Sequence, residues 1–326
     1  MEQLLVIGTS RGIVVAQGEA GGWRTVRKSL EGKAVTSVIA REGAILAGTR
    51  EGVYHSDDLG ATWRESNAGL SIHHVRWLAF HPEISNREFA GTEPAGIFVS
   101  HDSGGSWRSC PEVERMRGEF GWSLPYSPEA GCVRGLAFSG GRGYAAVEDG
   151  CALRSDDCGE TWQLTPGSTG RSNHYPQPRT IHSDVHSIEV HPASPDLVAA
   201  PTGGGFFMST DGGNTWANRY PQSYCRAVWW DAQDRDHLIL GPADGVDRGG
   251  RIEESHDGGQ TWQPAARGLN TPWPRHMVER FYQSGGYLFA VLSSGELIGS
   301  SLASLEWEPV LPQENGVNMV AVMPVG

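Results

Sequence analysis

The chain has 326 residues, of which 38% are hydrophobic, with 44 glycines, 19 prolines and 12 tryptophans. That is enough apolar residue to bury a large core, in a composition suited to many short strands joined by turns. A formal net charge of −12 argues against nucleic acid or an anionic membrane as a partner, and no apolar run approaches membrane-spanning length.

The first residues, MEQLLVIGTSRG, run straight into a strand-and-turn pattern. No basic n-region, apolar h-region or cleavage site precedes them, so the expected location is cytoplasmic. The five cysteines lack CxxC spacing and are expected as reduced thiols. Cys110 and Cys132 bracket one long loop and would be the pair to bridge in an exported protein.

Farther along, one octapeptide recurs five times: SDDLGATW (56–63), SHDSGGSW (100–107), SDDCGETW (155–162), STDGGNTW (209–216) and SHDGGQTW (255–262). In a tight hairpin the Ser and Asp side chains can bond backbone N–H groups, and the Gly accepts a positive φ. The Trp then opens the next strand and fills the gap to a neighbouring sheet. Extending the rhythm lands on Trp23 and Trp307, whose turns have lost the Asp, as end repeats often do. Seven repeats follow.

Each repeat predicts the same four-strand order. Blade two reads AVTSVIA, AILAGT, GVYHSD and WRESN; blade three HVRWLAF, REFAGT, GIFVS and WRSC. Blades four to seven continue from CVRGLAF, DVHSIEV, CRAVWW and MVERFYQ. Short β-branched runs between Gly, Pro, Asp and Asn turns are strand signals. Blade one lacks an inner strand, and GVNMVAVMPV (316–325) matches the missing pattern. The expectation is one all-β domain over residues 1–326. It is a seven-bladed β-propeller of four-stranded antiparallel blades, closed by the C-terminal strand beside the N-terminal blade.

The octapeptide resembles the Asp-box, or BNR, repeat of sialidases, xyloglucanase-like propellers and sortilin-type receptors. The resemblance implies that the Asp boxes join the outer strands on the face away from the ligand. Asp58, Asp102, Asp157, Asp211 and Asp257 are therefore expected as turn-formers. The chain departs from true sialidases, which have six blades and an Arg-Ile-Pro-type motif absent here.

On the opposite face, aligning the inner strands on Val35, Val75, Val133, Val185, Cys225, Val278 and Val317 exposes the next position. Round the ring it is Thr36, Arg76, Arg134, His186, Arg226, Glu279 and Asn318. Arg76, Arg134 and Arg226 are candidate ligands for a carboxylate or phosphate, since guanidinium presents a fork to such groups. The competing reading is that each Arg pairs within its own blade. His186 and Glu279 are the candidate proton-transfer residues, with Asp184, Tyr224 and Trp273 lining the site. His74, His182, His186 and His276 are candidate ligands for a transition metal ion, because six of the 12 histidines fall on this face. His174 and the aromatic residues Trp122 and Tyr126 lie in the long loops entering the inner strands, where binding groups tend to be carried.

Two functions fit these residues. One is a hydrolase or lyase acting on a small anionic, sugar-like substrate, with or without a metal. The other is a non-catalytic propeller whose upper face grips a peptide or protein partner.

Overall fold

The Asp-box hairpins fix the local geometry of every blade. In blade two the Ser56 hydroxyl donates to Asp58 Oδ1 (2.9 Å) and accepts the Gly60 N–H (2.8 Å). Asp58 in turn accepts the Thr62 N–H on Oδ1 (2.8 Å) and the Thr62 hydroxyl on Oδ2 (2.7 Å). The same network recurs around Asp102, Asp157, Asp211 and Asp257. The turn requires a left-handed residue at Gly60 (φ 80°), a conformation that glycine adopts without strain. All five aspartates are committed to turns.

The computed structural model describes residues 2–19, 22–126, 131–173 and 175–325. Seven four-stranded antiparallel sheets form the seven blades. Blade one combines Glu2–Thr9, Gly12–Glu19 and Gly22–Ser29 with the C-terminal strand Val317–Val325, which runs innermost. Its register sets Leu4 opposite Met323 and Ile7 opposite Val320, so both chain ends share one sheet. The inner strands of blades two to seven begin at Val35, Val75, Cys132, Glu189, Tyr224 and Val278. Apolar clusters fill the spaces between successive sheets. One of them joins Leu4, Val6 and Met323 of blade one to Val35, Val38 and Ala47 of blade two.

Three features differ from the sequence reading. The outer strands of blades two to four, six and seven pair over only two residues each. In blade five Val185 bridges Thr202, but regular pairing starts only at Glu189. The loop after blade three contains a helix, Pro111–Phe120. Its signals are local: Pro at the first turn, Glu112 and Glu114 near the N-terminus, Arg117 near the C-terminus, and Gly121 closing in the left-handed region. Val113 anchors the helix in the core beside Trp122 and Trp162. No helix of the described residues is long and apolar enough to cross a membrane. All five cysteines are free, Cys110 and Cys132 included.

Candidate functional site

The upper face is built by a repeated irregularity. Pairing skips Thr36 between Val35 and Ser37, and Arg76 between Val75 and Trp77. It likewise skips Arg134, Glu279 and Asn318, and in blade six it passes from Cys225 to Val228 around Arg226. His186 occupies the equivalent irregular stretch of blade five. A bulge leaves its extra residue unpaired and re-aims the side chain. Here it turns the seven aligned residues off their ladders at the channel mouth.

Asn318, Thr36 and His186 stitch neighbouring blades together. Asn318 Nδ2 donates to the Val35 carbonyl (2.8 Å), and the Thr36 hydroxyl to the Val75 carbonyl (2.5 Å). His186 Nδ1 lies 2.8 Å from the Cys225 carbonyl, so this nitrogen carries the proton. In each case the side chain of one blade reaches the carbonyl just before the bulge of the next.

The arginines pair with carboxylates. Arg76 lies 3.3 Å from Glu93 of its own blade, and Arg134 lies 3.1 Å from Glu148 of its own blade. Arg134 also reaches Glu279 across the channel (3.6 Å), while Arg226 bonds the other oxygen of Glu279. Burial alone would lower the Arg134 pKa, but Glu148 and Glu279 outweigh it and hold the group well above its ordinary value. Glu148 is depressed to about 2: burial opposes the shift, and Arg134 overrides it. Glu279 is likewise held below its usual range against burial, chiefly by Arg226 and Arg134.

Arg280 is different. No carboxylate pairs with it among the described residues, and its guanidinium lies over the Trp77 ring at 4.5 Å. Burial lowers its pKa; the opposing pull of Tyr282 and Glu279 is too weak to cancel that and the repulsion of Arg134 and Arg76. It is a cation short of counter-charge.

A cavity of about 420 Å³ opens at the mouth, lined by Arg50, Arg76, Arg134 and Arg280 against one carboxylate, Glu279. A second, of about 280 Å³, shares Glu279 and Arg280 with it and continues past Trp77, Glu189 and Tyr282. The two meet along the channel. Glu189 lines this lower space with its side chain open to the channel; the surrounding walls raise its pKa, and solvent in the channel moderates that rise.

Several expected site residues take other roles. His186 is closed off: its side chain is fully buried, with Nε2 facing Asp184 Oδ1 (3.0 Å) and the Tyr224 hydroxyl (3.1 Å). With both nitrogens engaged it cannot reach a ligand in the mouth as a proton carrier. Asp184, held down to about 2 by His186 against burial, belongs to that cluster. Tyr224 bridges His186 and Arg226, whose Nη2 donates to its hydroxyl (3.1 Å). Trp273 is buried in the core between blades six and seven, and His276 packs on its ring. The expected metal quartet is not assembled. His74 lies beside Glu93 at 3.7 Å, and the buried His182 accepts the Asp184 N–H on Nδ1. His186 gathers instead with Glu148 and Asp184. The guanidinium of Arg134 on Glu148 disfavours a divalent ion in that trio.

In the long loops, Trp122 is core, donating to the Gly170 carbonyl (2.7 Å), whereas the exposed Tyr126 reaches Glu148 (3.0 Å). His174 lies outside the described residues. The sequence reading missed Arg280 and Glu189 as site residues. Arg280 directly follows the bulge position in blade seven, and Glu189 stands three residues after it in blade five, so extending the alignment down the strands would have found both.

The BNR/Asp-box repeat family matches residues 253–264. No curated protein matches the sequence. Among solved structures, an ancestral GH74 enzyme is 16% identical with a TM-score of 0.65, covering 96% of this chain. The chain spans only 40% of that enzyme's length. YCF48 bound to D1 peptide is 16% identical with a TM-score of 0.56, covering 90% of this chain and 84% of that one. YCF48 from Cyanidioschyzon merolae is 14% identical with a TM-score of 0.57, covering 92% and 93%. These likenesses concern the fold. The repeat, the seven sheets and the matched octapeptide together identify the chain as a BNR-type, Asp-box seven-bladed β-propeller.

Proposed function

We propose that the channel mouth binds a small carboxylate-bearing molecule, with Arg280, Arg76, Arg134 and Arg50 as its positive wall. The observation that carries this reading is Arg280, a half-buried guanidinium with no carboxylate partner among the described residues, lining a cavity of about 420 Å³. An incoming carboxylate would supply the missing counter-charge in a setting where charge-assisted bonds are strong. Arg226 belongs to the frame rather than to the wall: it bonds Glu279 and lines the lower cavity, not the one at the mouth. The neighbouring folds accord with either a sugar or a peptide as bearer of the carboxylate, since they include a xyloglucanase and a propeller bound to a peptide. Calorimetric titration with acetate, citrate and glucuronate, against glucose as the uncharged match for glucuronate, tests the reading. Binding of a carboxylate and not of glucose is expected; heat from glucose alone, or from none, would remove it.

A second reading, catalysis, is favoured by Glu189. Its raised pKa and the depressed one of Glu279 give two carboxyls of different proton affinity on one cavity. Divergent carboxyl pairs of this kind serve as acid and base in hydrolysis or elimination. Release of nitrophenol from a nitrophenyl glucuronide, abolished by Glu189→Gln with binding retained, would support it. Release that persists in Glu189→Gln would refute the assignment.

A further inference from the structure

On the opposite side of the molecule, beside the Asp box of blade six, a second cluster is independent of the mouth. His237 precedes the strand Leu238–Ala243, and Glu254 and His256 lie on and just after the strand Glu253–Ser255. Because Leu238 pairs with Ser255, His237 and His256 are cross-strand neighbours, and their rings stack at 4.5 Å and 16°. Both Nε2 atoms face one oxygen, Glu254 Oε1, at 2.8 Å and 3.3 Å.

The hydrogen bonding behind His237 sets its chemistry. Its Nδ1 lies 3.2 Å from Asp231 Oδ2 and its Nε2 2.8 Å from Glu254 Oε1, so a carboxylate faces each ring nitrogen. Asp231 is fixed in turn by the Gln233 N–H on its other oxygen (2.9 Å). With Nδ1–H donating to Asp231, displacement of the proton shared with Glu254 leaves the Nε2 lone pair to a cation. A carboxylate holding the far nitrogen of an imidazole is also the arrangement that orients histidine ligands on metals.

We infer that His237, Glu254 and His256 form a binding site for a divalent transition cation of the zinc class, with Asp231 as the positioning residue. Two imidazoles and a carboxylate suit such an ion and leave a fourth position open. Bonds of about 2.0–2.2 Å around a tetrahedral ion put donor atoms about 3.3–3.6 Å apart; the His256–Glu254 contact of 3.3 Å matches, and the His237–Glu254 contact of 2.8 Å must open by about 0.5 Å. His256, with its side chain 55% exposed, has room to rotate its ring plane onto the ion. Glu254 pairs with no guanidinium among the described residues, unlike Glu148 in the mouth. The remaining Asp boxes carry Asp57, His101, Asp156 and Thr210 where blade six has His256, so the fold does not require histidine there.

The test is titration of chelator-stripped full-length protein with zinc chloride by calorimetry. One equivalent is expected to bind. His256→Thr, which copies the residue of blade five, and Glu254→Gln should each weaken binding at least tenfold. Asp231→Asn should weaken it about 10- to 100-fold. His101→Ala, which removes the exposed histidine at the same place in blade three, should change nothing. Circular dichroism shows which variants are folded, and His256→Thr keeps the test decisive if another is not. Absence of zinc binding, binding indifferent to His256→Thr, or binding lost in His101→Ala would overturn the inference.

Discussion

Arg134 and Glu279 meet across the channel at 3.6 Å, although they belong to blades four and seven. Glu279 is thus the internal counter-charge of the mouth, shared between Arg134 and Arg226. Glu279→Gln should free both guanidinium groups and tighten carboxylate binding severalfold. It should also destabilise the fold by about 3–5 kcal/mol, the usual cost of removing one partner of a buried pair. Because the folded pKa of Glu279 is depressed, its contribution is present above the ordinary carboxylate range and lost as pH falls through the folded value. Melting below about pH 4.5 should therefore weaken less in the variant than in the wild type.

The Asp boxes predict acid sensitivity of the whole ring. Hydrogen bonds from Thr62 and Thr261 bring Asp58 and Asp257 down to about 2. Stability supplied by these groups is complete above the ordinary Asp value of 3.8 and is lost between there and pH 2. Asp211→Ala removes the bonds to Thr215 and Ser209 and should cost about 1–3 kcal/mol. Denaturant melts at pH 7 check this; an unchanged midpoint would show that the turn holds without its carboxylate.

Glu189 predicts the opposite slope. Its folded pKa is raised, so its favourable contribution is complete below the ordinary value of 4.5 and declines as pH rises through the folded value. The wild-type melting temperature should fall slightly between pH 4.5 and 7, since channel solvent moderates the shift, and Glu189→Gln should flatten that fall. Parallel curves for the two proteins would place the titration elsewhere.

Closure predicts cooperativity. Removing residues 317–325 deletes the innermost strand of blade one and exposes the edge of Glu2–Thr9. Unfolding should broaden and lose its single sharp transition. A melt as steep as that of the full chain would contradict the role given to this strand.

The architecture was legible because it repeats. Five octapeptides set the register, Trp23 and Trp307 completed the count, and the unpaired pattern at 316–325 found its partner at the other end of the chain. The seven aligned residues at the mouth were legible for the same reason, since the bulge recurs at one place in each inner strand. Pairing was not legible. Whether Arg226 offers its charge to a ligand depends on Glu279, 53 residues away, and whether His186 is free depends on Tyr224 in the next blade. Trp273 reads as a binding aromatic from its polar loop, but the Gly250 backbone pins it into the core. The helix at 111–120 was hidden by its place in a chain of strands, though its Pro and Gly boundaries are ordinary helix signals.

The most direct test is glucuronate titration of wild-type protein against Arg280→Met. Among the described residues Arg280 makes no ion pair, so the variant strands none of their carboxylates and keeps most of the apolar stem on Trp77. At least a tenfold loss of affinity, about 1.4 kcal/mol, is expected with the fold unchanged. Equal affinity in the two proteins would contradict a carboxylate site at the channel mouth.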